Sequence, residues 1–166
     1  MIESRIVKVI MVGCLAAFAL LVAFDNLTDY ATNYAFVRHV LSMDTTFPGN
    51  ALLYRRIASP ALWQAGYALI ILGEGLTGAT LAMAAIALLR HLRADAARFN
   101  RAKRLVHIGA GLGFLLWFFG FMVVGGEWFQ MWQSHAWNGQ QPAFRFYMTI
   151  VAVLILVNQP DIEVAS

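Results

Sequence analysis

Charged side chains are scarce in this sequence, which carries only 13% Asp, Glu, Lys and Arg over its 166 residues. Soluble domains average about 25% charged residues, so much of this chain's surface is expected to face lipid. A net charge of +3 does not indicate nucleic-acid binding here, because the basic residues cluster beside apolar segments, where they set membrane orientation.

Cysteine and catalytic motifs are also nearly absent. Cys14 is the single cysteine, which excludes an intramolecular disulfide, a thiol redox pair and a cysteine-rich metal site. No HExxH zinc motif and no glycine-flanked serine elbow occurs. No histidine falls in the middle of an apolar run, which argues against a bis-histidine haem. These absences predict a protein that is not an enzyme.

Four apolar runs dominate what is present, at residues 6–24, 63–89, 106–124 and 144–158. A membrane helix needs about 20 residues, so the fourth run is the weakest candidate. The first run is long for a signal-peptide core, and we expect it to be a retained helix. The pattern predicts an all-α, four-span transmembrane bundle that forms a single domain over residues 1–166.

The distribution of Lys and Arg predicts the orientation of this bundle. Eight basic residues lie at the first span and in the loop 90–104, and four lie in the other connecting segments or beside them: Arg38, Arg55, Arg56 and Arg145. Because basic residues favour the cytoplasmic side, both termini are expected to be cytoplasmic. The two outer segments, 25–60 and 125–142, are then expected to form one ordered cap of short interfacial helices.

Helical spacing supports that cap. Tyr34, Val37 and Leu41 would share an apolar stripe, and Trp128, Trp132 and His135 would share one face of a second helix. Such segments are too short to stay ordered alone, so we expect Tyr34, Val37, Leu41, Trp128 and Trp132 to be buried against each other. Tryptophan also favours the membrane interface, and the aromatic residues that we predict to contact lipid or a partner protein are Trp128, Trp132 and Trp137.

Two long motifs, FVRHVLSMDTTFP at residues 36–48 and GGEWFQMWQSHAWNGQ at residues 125–140, carry a resemblance. Through them the chain resembles a proteobacterial family of predicted small integral membrane proteins, catalogued as domain of unknown function twenty-one sixty-five. The resemblance covers nearly the whole chain and implies a four-span protein of the bacterial inner membrane. It implies no catalytic residue, because the family carries no established activity.

Glu74, inside the second run, is the strongest candidate for a functional residue, because a carboxyl group at bilayer depth needs a partner, a proton or water. We expect it to be neutral at pH 7, to face other helices and to hydrogen-bond to Tyr67 or Thr77. It would alternatively contact a lipid, a quinone or a partner helix, or relay protons or ions. The absence of a second polar residue at mid-span weakens the relay.

A second polar group is predicted in the cap. Its members are Asp25, Asp29, Arg38, His39, Asp44, Arg55, Arg56, Glu127, His135 and Arg145. We expect the four acids to pair with the four arginines, because the guanidinium group binds carboxylate in two places. The alternative is a copper or zinc site with ligands drawn from His39, Met43, Met131 and His135. Since no compact metal motif is present, no metal is assigned.

Small residues mark the surfaces where helices approach closely. Gly73 and Gly78 lie in the second run, and Gly109 and Gly113 lie in the third. Small residues allow close backbone approach where lipid removes the hydrophobic drive for association. We therefore expect these four glycines at helix–helix contacts.

Together these patterns favour a non-catalytic accessory or scaffold subunit without a resident cofactor, which binds lipid and another membrane protein or a second copy of itself. The alternative is a small carrier or metal-handling protein that uses Glu74 and the polar group of the cap. A mid-bundle cavity open to water would favour the carrier, and a flat aromatic flank without a cavity would favour the scaffold.

Overall fold

A computed structural model describes residues 2–161; the remaining residues of the expected 1–166 domain, 1 and 162–166, lie outside this range. Over the described residues the chain forms helices and turns without β-strands. The helices are α1 (Ile2–Thr28), α2 (Tyr30–Ser42), α3 (Pro60–Arg90), α4 (Ala96–Ala102), α5 (Arg104–Phe114), a π-helical segment (Leu115–Trp128) and α6 (Gln140–Asn158). The prediction of an all-α bundle with four candidate membrane spans is confirmed.

The ends of α3 coincide with a proline and with the start of a basic segment. Helix α3 starts with Pro60 in its first turn, where the missing backbone N–H of proline removes no helical hydrogen bond. It ends beside Arg90, at the start of the basic loop. The spans extend beyond the apolar runs at most ends, since α1 covers Ile2–Thr28 rather than residues 6–24.

The four spans pack in a ring, in which α1 contacts α3, α3 contacts α5, and α6 closes the ring against α1 and the third span. Glycine brings two of these pairs close. A Cβ atom on Gly78 would lie 2.9 Å from the backbone nitrogen of Leu20, and one on Gly109 would lie 2.7 Å from Leu81 Cγ. Gly73 and Gly113 likewise face side chains of other helices, Leu116 and Ile150.

The third span is composite. Helix α5 continues at Leu115 into 14 residues of π-helix that end at Trp128, where the N–H of Phe129 still bonds to the carbonyl of Val124 five residues earlier. π-Helical turns are wider than α-helical ones and occur often at functional sites. The wider turns change which side chains face the bundle, and the apolar pattern does not predict this.

The end of the bundle that holds residues 25–60 and 125–142 is called the cap end, and the opposite end, with Ile2 and Asp161, the terminal end. At the cap end the two segments form one unit, as expected. The hydroxyl of Thr45 donates to Ser134 Oγ at 2.9 Å, and Gln133 Oε1 accepts from the Phe47 amide at 3.0 Å. Val40, Met43, Phe129 and Met131 pack as a small apolar core between them.

The predicted second interfacial helix is wrong. Gln130, two residues beyond the end of the helix at Trp128, has a left-handed backbone with φ of 55°, which prevents the helix from continuing. Only a short 3₁₀ turn, Met131–Gln133, follows. Trp128, Trp132 and His135 therefore do not share a helical face, and Trp128 and Trp132 are exposed rather than buried in the cap.

Candidate functional site

Glu74 lies inside the bundle, with only 2% of its surface exposed. Its Oε2 atom accepts a hydrogen bond of 2.7 Å from the side-chain amide of Asn26 on α1. The Tyr67 hydroxyl donates to the backbone oxygen of Asn26 at 2.7 Å and lies 3.2 Å from its Oδ1. Asn26 therefore connects the two residues that the sequence analysis expected to bond directly.

The expected partners of Glu74 need correction. Tyr67 bonds to Asn26, and the Thr77 hydroxyl donates to the carbonyl of Gly73, four residues earlier in its own helix, at 2.7 Å. Thr77 behaves in this way because a hydroxyl inside a helix easily reaches the carbonyl one turn back. Asn26 was not among the predicted site residues because it follows the first apolar run and resembles a loop residue. The signal was Asp25, Asn26 and Asp29 at helical spacing after that run.

A polar chamber of about 420 Å³ extends from Glu74 toward the cap end. Its polar lining consists of Asp25, Asn26, Asn33, Tyr67 and Glu74. The apolar and remaining lining residues are Val22, Phe36, Val37, Ile70, Trp117, Phe121, Gly139, Pro142, Ala143 and Phe146. Asp25 and Pro142 are exposed, so the chamber reaches the protein surface, and its volume is within the range of small-molecule sites.

An apolar crevice of about 290 Å³ adjoins this chamber between α2, α3 and the π-helical segment. Both spaces are lined by the same four residues, Phe36, Val37, Ile70 and Phe121. The π-helical segment supplies Trp117 and Phe121 to the chamber, and Phe119, Gly120 and Val124 to the crevice. The π-helical segment therefore contributes aromatic rings to both the chamber and the crevice.

The expected ion pairs of the cap are wrong. Over residues 2–161, none of Asp25, Asp29, Asp44 and Glu127 forms an ion pair with an arginine; Asp44 pairs instead with His39 Nδ1 at 2.9 Å. Two of the four arginines lie over aromatic rings instead. The guanidinium carbon of Arg55 is 4.7 Å from the ring centre of Trp128, and that of Arg38 is 5.9 Å from Trp63. Arg56 is exposed in the cap, and Arg145 is exposed on α6 beside Cys14.

The candidate metal ligands have other partners. Met131 Sδ accepts from the Gly139 amide at 3.4 Å, Met43 packs in the apolar core of the cap, and the His39 ring stacks on Trp137 with centres 4.6 Å apart. His135 is exposed. Within the described part of the chain, no three His, Cys, Asp or Glu side chains lie close enough to hold a metal ion.

The three tryptophans assigned to an interface differ in exposure. Trp128 and Trp132 are exposed at the cap end. Trp137 is half-buried and lies between His39 and Phe36, so it packs the cap itself. Only the first two present aromatic surface to the surroundings.

A buried ionic cluster joins the helices at the terminal end. Asp161 Oδ2 lies 2.7 Å from Lys8 Nζ and 2.5 Å from Lys103 Nζ, and both lysines also donate to the carbonyl of Gln159. Burial alone would raise the pKa of the Asp161 carboxyl, but hydrogen bonds from Lys103 and Lys8 outweigh it and hold that pKa below its ordinary value. From the sequence, Lys8 and Lys103 were expected only to set the membrane orientation, and Asp161 was not among the predicted site residues.

Comparison with known proteins yields one match. No curated protein and no solved structure is significantly similar to the chain. The sequence pattern of one family, described as predicted small integral membrane protein (DUF2165), matches residues 4–160. This range contains the chamber, the cap and the four spans, and the chain therefore belongs to that family of small integral membrane proteins.

Proposed function

We propose that the protein is a non-catalytic membrane protein that binds a small molecule in the polar chamber. The supporting observation is the chamber itself, a space of about 420 Å³ that leads from the surface at Asp25 to the buried carboxyl of Glu74. Ligand sites are typically concave and mostly apolar, with a few convergent polar groups, and this space has that composition. Over residues 2–161 no Ser, Cys, His or Lys lines the chamber, and its ionisable groups are Asp25, Tyr67 and Glu74.

A matched pair of substitutions tests this proposal. Val22 lines the chamber, whereas its neighbour Leu21 is exposed and does not. Val22→Trp fills the chamber, and Leu21→Trp adds the same side chain outside it. The three purified proteins would be extracted with organic solvent, and the extracts compared by mass spectrometry.

The proposal expects a near-stoichiometric small molecule in the extracts of the native protein and of Leu21→Trp, reduced at least tenfold in Val22→Trp. A native protein without such a molecule, or a Val22→Trp variant that retains it, would contradict ligand binding in the chamber. No resident metal or redox cofactor is part of the proposal.

A second role, as an accessory or scaffold subunit of a membrane complex, is favoured by the aromatic surface of the cap. Tyr54 is 75% exposed, and Arg55 lies over both Tyr54 and Trp128, at 5.5 and 4.7 Å from the ring centres. Exposed aromatic and arginine side chains often provide most of the binding energy at protein interfaces. A photoreactive residue at Trp128 should crosslink to one defined membrane protein, and the same residue at Leu21 should not. Equal patterns at both positions would rule out this surface as the contact.

We further propose that the protein lies in a bacterial inner membrane with both termini in the cytoplasm. The support is the excess of basic residues near the terminal end. This end includes the segment between α3 and α5, which contains α4. In that orientation the polar chamber opens toward the outer face of the membrane.

A further inference from the structure

We infer that the polar chamber selects a lipophilic organic cation, whose ammonium group is held by Glu74 among aromatic rings and whose apolar part enters the adjoining crevice. This inference rests on the proposed ligand binding in the chamber. It adds the chemical class of the ligand, which follows from the charge, the aromatic lining and the shape of the site.

The charged residues that line the chamber favour a cation. Asp25 lies at the mouth of the chamber and Glu74 at its inner end, and no Lys, Arg or His lines the chamber over the described residues. An anionic ligand would meet carboxyl groups without a compensating cation. A positively charged ligand would interact favourably with Asp25, and at Glu74 it would stabilise the ionised form of a carboxyl that is expected to be neutral without such a partner.

The state of the Glu74 carboxyl supports this assignment. Asn26 occupies Oε2, whereas Oε1 accepts no hydrogen bond from any residue in the range 2–161. Asn26 is itself fixed, since its Oδ1 atom lies 3.2 Å from the Tyr67 hydroxyl. One carboxyl oxygen is therefore oriented by the protein, and the other is left for a ligand.

The aromatic rings that line the chamber also favour a cation. Phe36 and Phe121 stack with ring centres 6.1 Å apart, and Trp117 and Phe146 meet edge to face at 5.7 Å. All four rings line the chamber. The face of an aromatic ring attracts a cation, and rings around a carboxyl group are a recurrent way to bind quaternary ammonium groups, which cannot donate hydrogen bonds.

The apolar crevice indicates that the ligand has an apolar part as well as a charge. Phe36, Val37, Ile70 and Phe121 line both the chamber and the crevice, and the crevice has an apolar lining over about 290 Å³. A ligand with its charged group at Glu74 can extend an alkyl or aryl part past these four residues, where the two spaces adjoin. A small hydrophilic cation would leave the crevice unused, so the structure favours a cation with a substantial apolar part.

The test compares a cation with an uncharged molecule of nearly the same shape. Benzyltrimethylammonium and neopentylbenzene differ in one atom, nitrogen against carbon. Their binding to the native full-length protein in lipid nanodiscs would be measured by equilibrium dialysis, at equal free concentration in the aqueous phase and after subtraction of empty nanodiscs.

We expect benzyltrimethylammonium to have a Kd at least tenfold lower than that of neopentylbenzene. Glu74→Gln should remove most of this preference, and Glu127→Gln, at an exposed position outside the chamber, should leave it unchanged. If Glu74→Gln does not fold, Asp25→Asn replaces it, and the Kd of the cation should then rise severalfold while that of neopentylbenzene stays constant.

The outcomes separate the two proposals. Equal affinity for both molecules, or an unchanged preference in the folded Glu74→Gln or Asp25→Asn variant, would overturn the cation assignment. If Val22→Trp still abolished retention of the native ligand, the proposed function would stand without it. Absence of binding by either molecule, together with an empty native chamber, would overturn both.

Discussion

At the scale of single residues, Glu74 depends on a side chain from another helix. The Asn26 amide donates to Glu74 Oε2 at 2.7 Å and links α1 to α3 near the inner end of the chamber. A buried polar group that loses its only partner retains the desolvation penalty without the compensating hydrogen bond. Loss of the Asn26 donor would therefore remove the free energy of this hydrogen bond. It would also leave the desolvation of the buried Glu74 carboxyl without compensation.

Replacing Asn26 with Leu should destabilise the protein more than replacing Asn33 with Leu. Asn26→Leu leaves Glu74 buried without its donor, and we expect a loss of about 1–3 kcal/mol in the free energy of unfolding. Among residues 2–161 the Asn33 side chain donates to the backbone oxygen of Asp29 alone, at 3.3 Å, so its replacement should cost less than about 1 kcal/mol. Unfolding in mixed micelles would measure both.

A double-mutant cycle completes this test. Asn26→Leu combined with Glu74→Leu should cost less than the sum of the single changes, because removing both partners leaves no unsatisfied polar group. Strict additivity would show that the two side chains do not interact.

Asp161→Asn should destabilise the protein by about 2 kcal/mol at neutral pH, because hydrogen bonds from two buried lysines lose their charged acceptor. The folded-state pKa of Asp161 is depressed, so its stabilising contribution is present above the unfolded value of about 4. It is lost as the pH falls through the folded-state pKa. Unfolding measured from pH 7 downward should show the native and variant curves converging in acid, with Glu127→Gln as the control.

At the scale of the helices, two glycines of α3 differ in what surrounds them. A Cβ atom on Gly78 would lie 2.9 Å from the Leu20 backbone nitrogen, whereas one on Gly75 would meet no atom within 4 Å. Gly78→Ala should destabilise the protein by about 1–3 kcal/mol because α1 has to move away. Gly75→Ala should be neutral or stabilising by up to about 1 kcal/mol, since alanine favours helix. Thermal unfolding in detergent would rank the three proteins, and equal stability would argue against a close α1–α3 contact.

The sequence predicted the elements better than their junctions. Long apolar runs identified the four spans, because lipid requires a continuous helix of sufficient length. The helix predicted beyond Trp128 fails because one left-handed residue, Gln130, interrupts a pattern that periodicity alone extends. The sequence predicted part of the site, because a glutamate such as Glu74 is unusual within a long apolar run. Asn26 has only a weaker signal, the helical spacing of Asp25, Asn26 and Asp29 after the first apolar run, and the π-helical turns that bring Trp117 and Phe121 to the chamber have none.

The arginines of the cap show a similar limit. Charge counting predicted pairs with the four acids, but Arg55 and Arg38 lie over Trp128 and Trp63. Pairing depends on which side chains the loops place together, and an arginine gains from an aromatic face as well as from a carboxylate. The sequence contains both kinds of partner and does not distinguish between them.

At the scale of the whole molecule, the ring of four spans places Ile2 and Asp161 at one end and the cap at the other. Reporter fusions after Arg98 and after Gly139 should therefore report opposite sides of the membrane. We expect the fusion after Arg98 to be cytoplasmic, because eight of the twelve basic residues lie toward that side. An external reporter at Arg98 would reverse the proposed orientation, and two reporters on the same side would contradict the four-span ring.

The ionic cluster at the terminal end also bears on how the chain is assembled during synthesis. Lys8 and Lys103 belong to the first and third spans, yet the acceptors described above for both, Gln159 and Asp161, follow the fourth. While the ribosome is still producing α6, two amines destined for burial lack these acceptors. Helix α6 is the shortest and least apolar of the four candidate spans, and the residues that follow it connect to the first and third spans. A nascent chain interrupted after Asn158 would contain every span but lack this final connection, and quality-control proteases would meet it as an incompletely closed bundle.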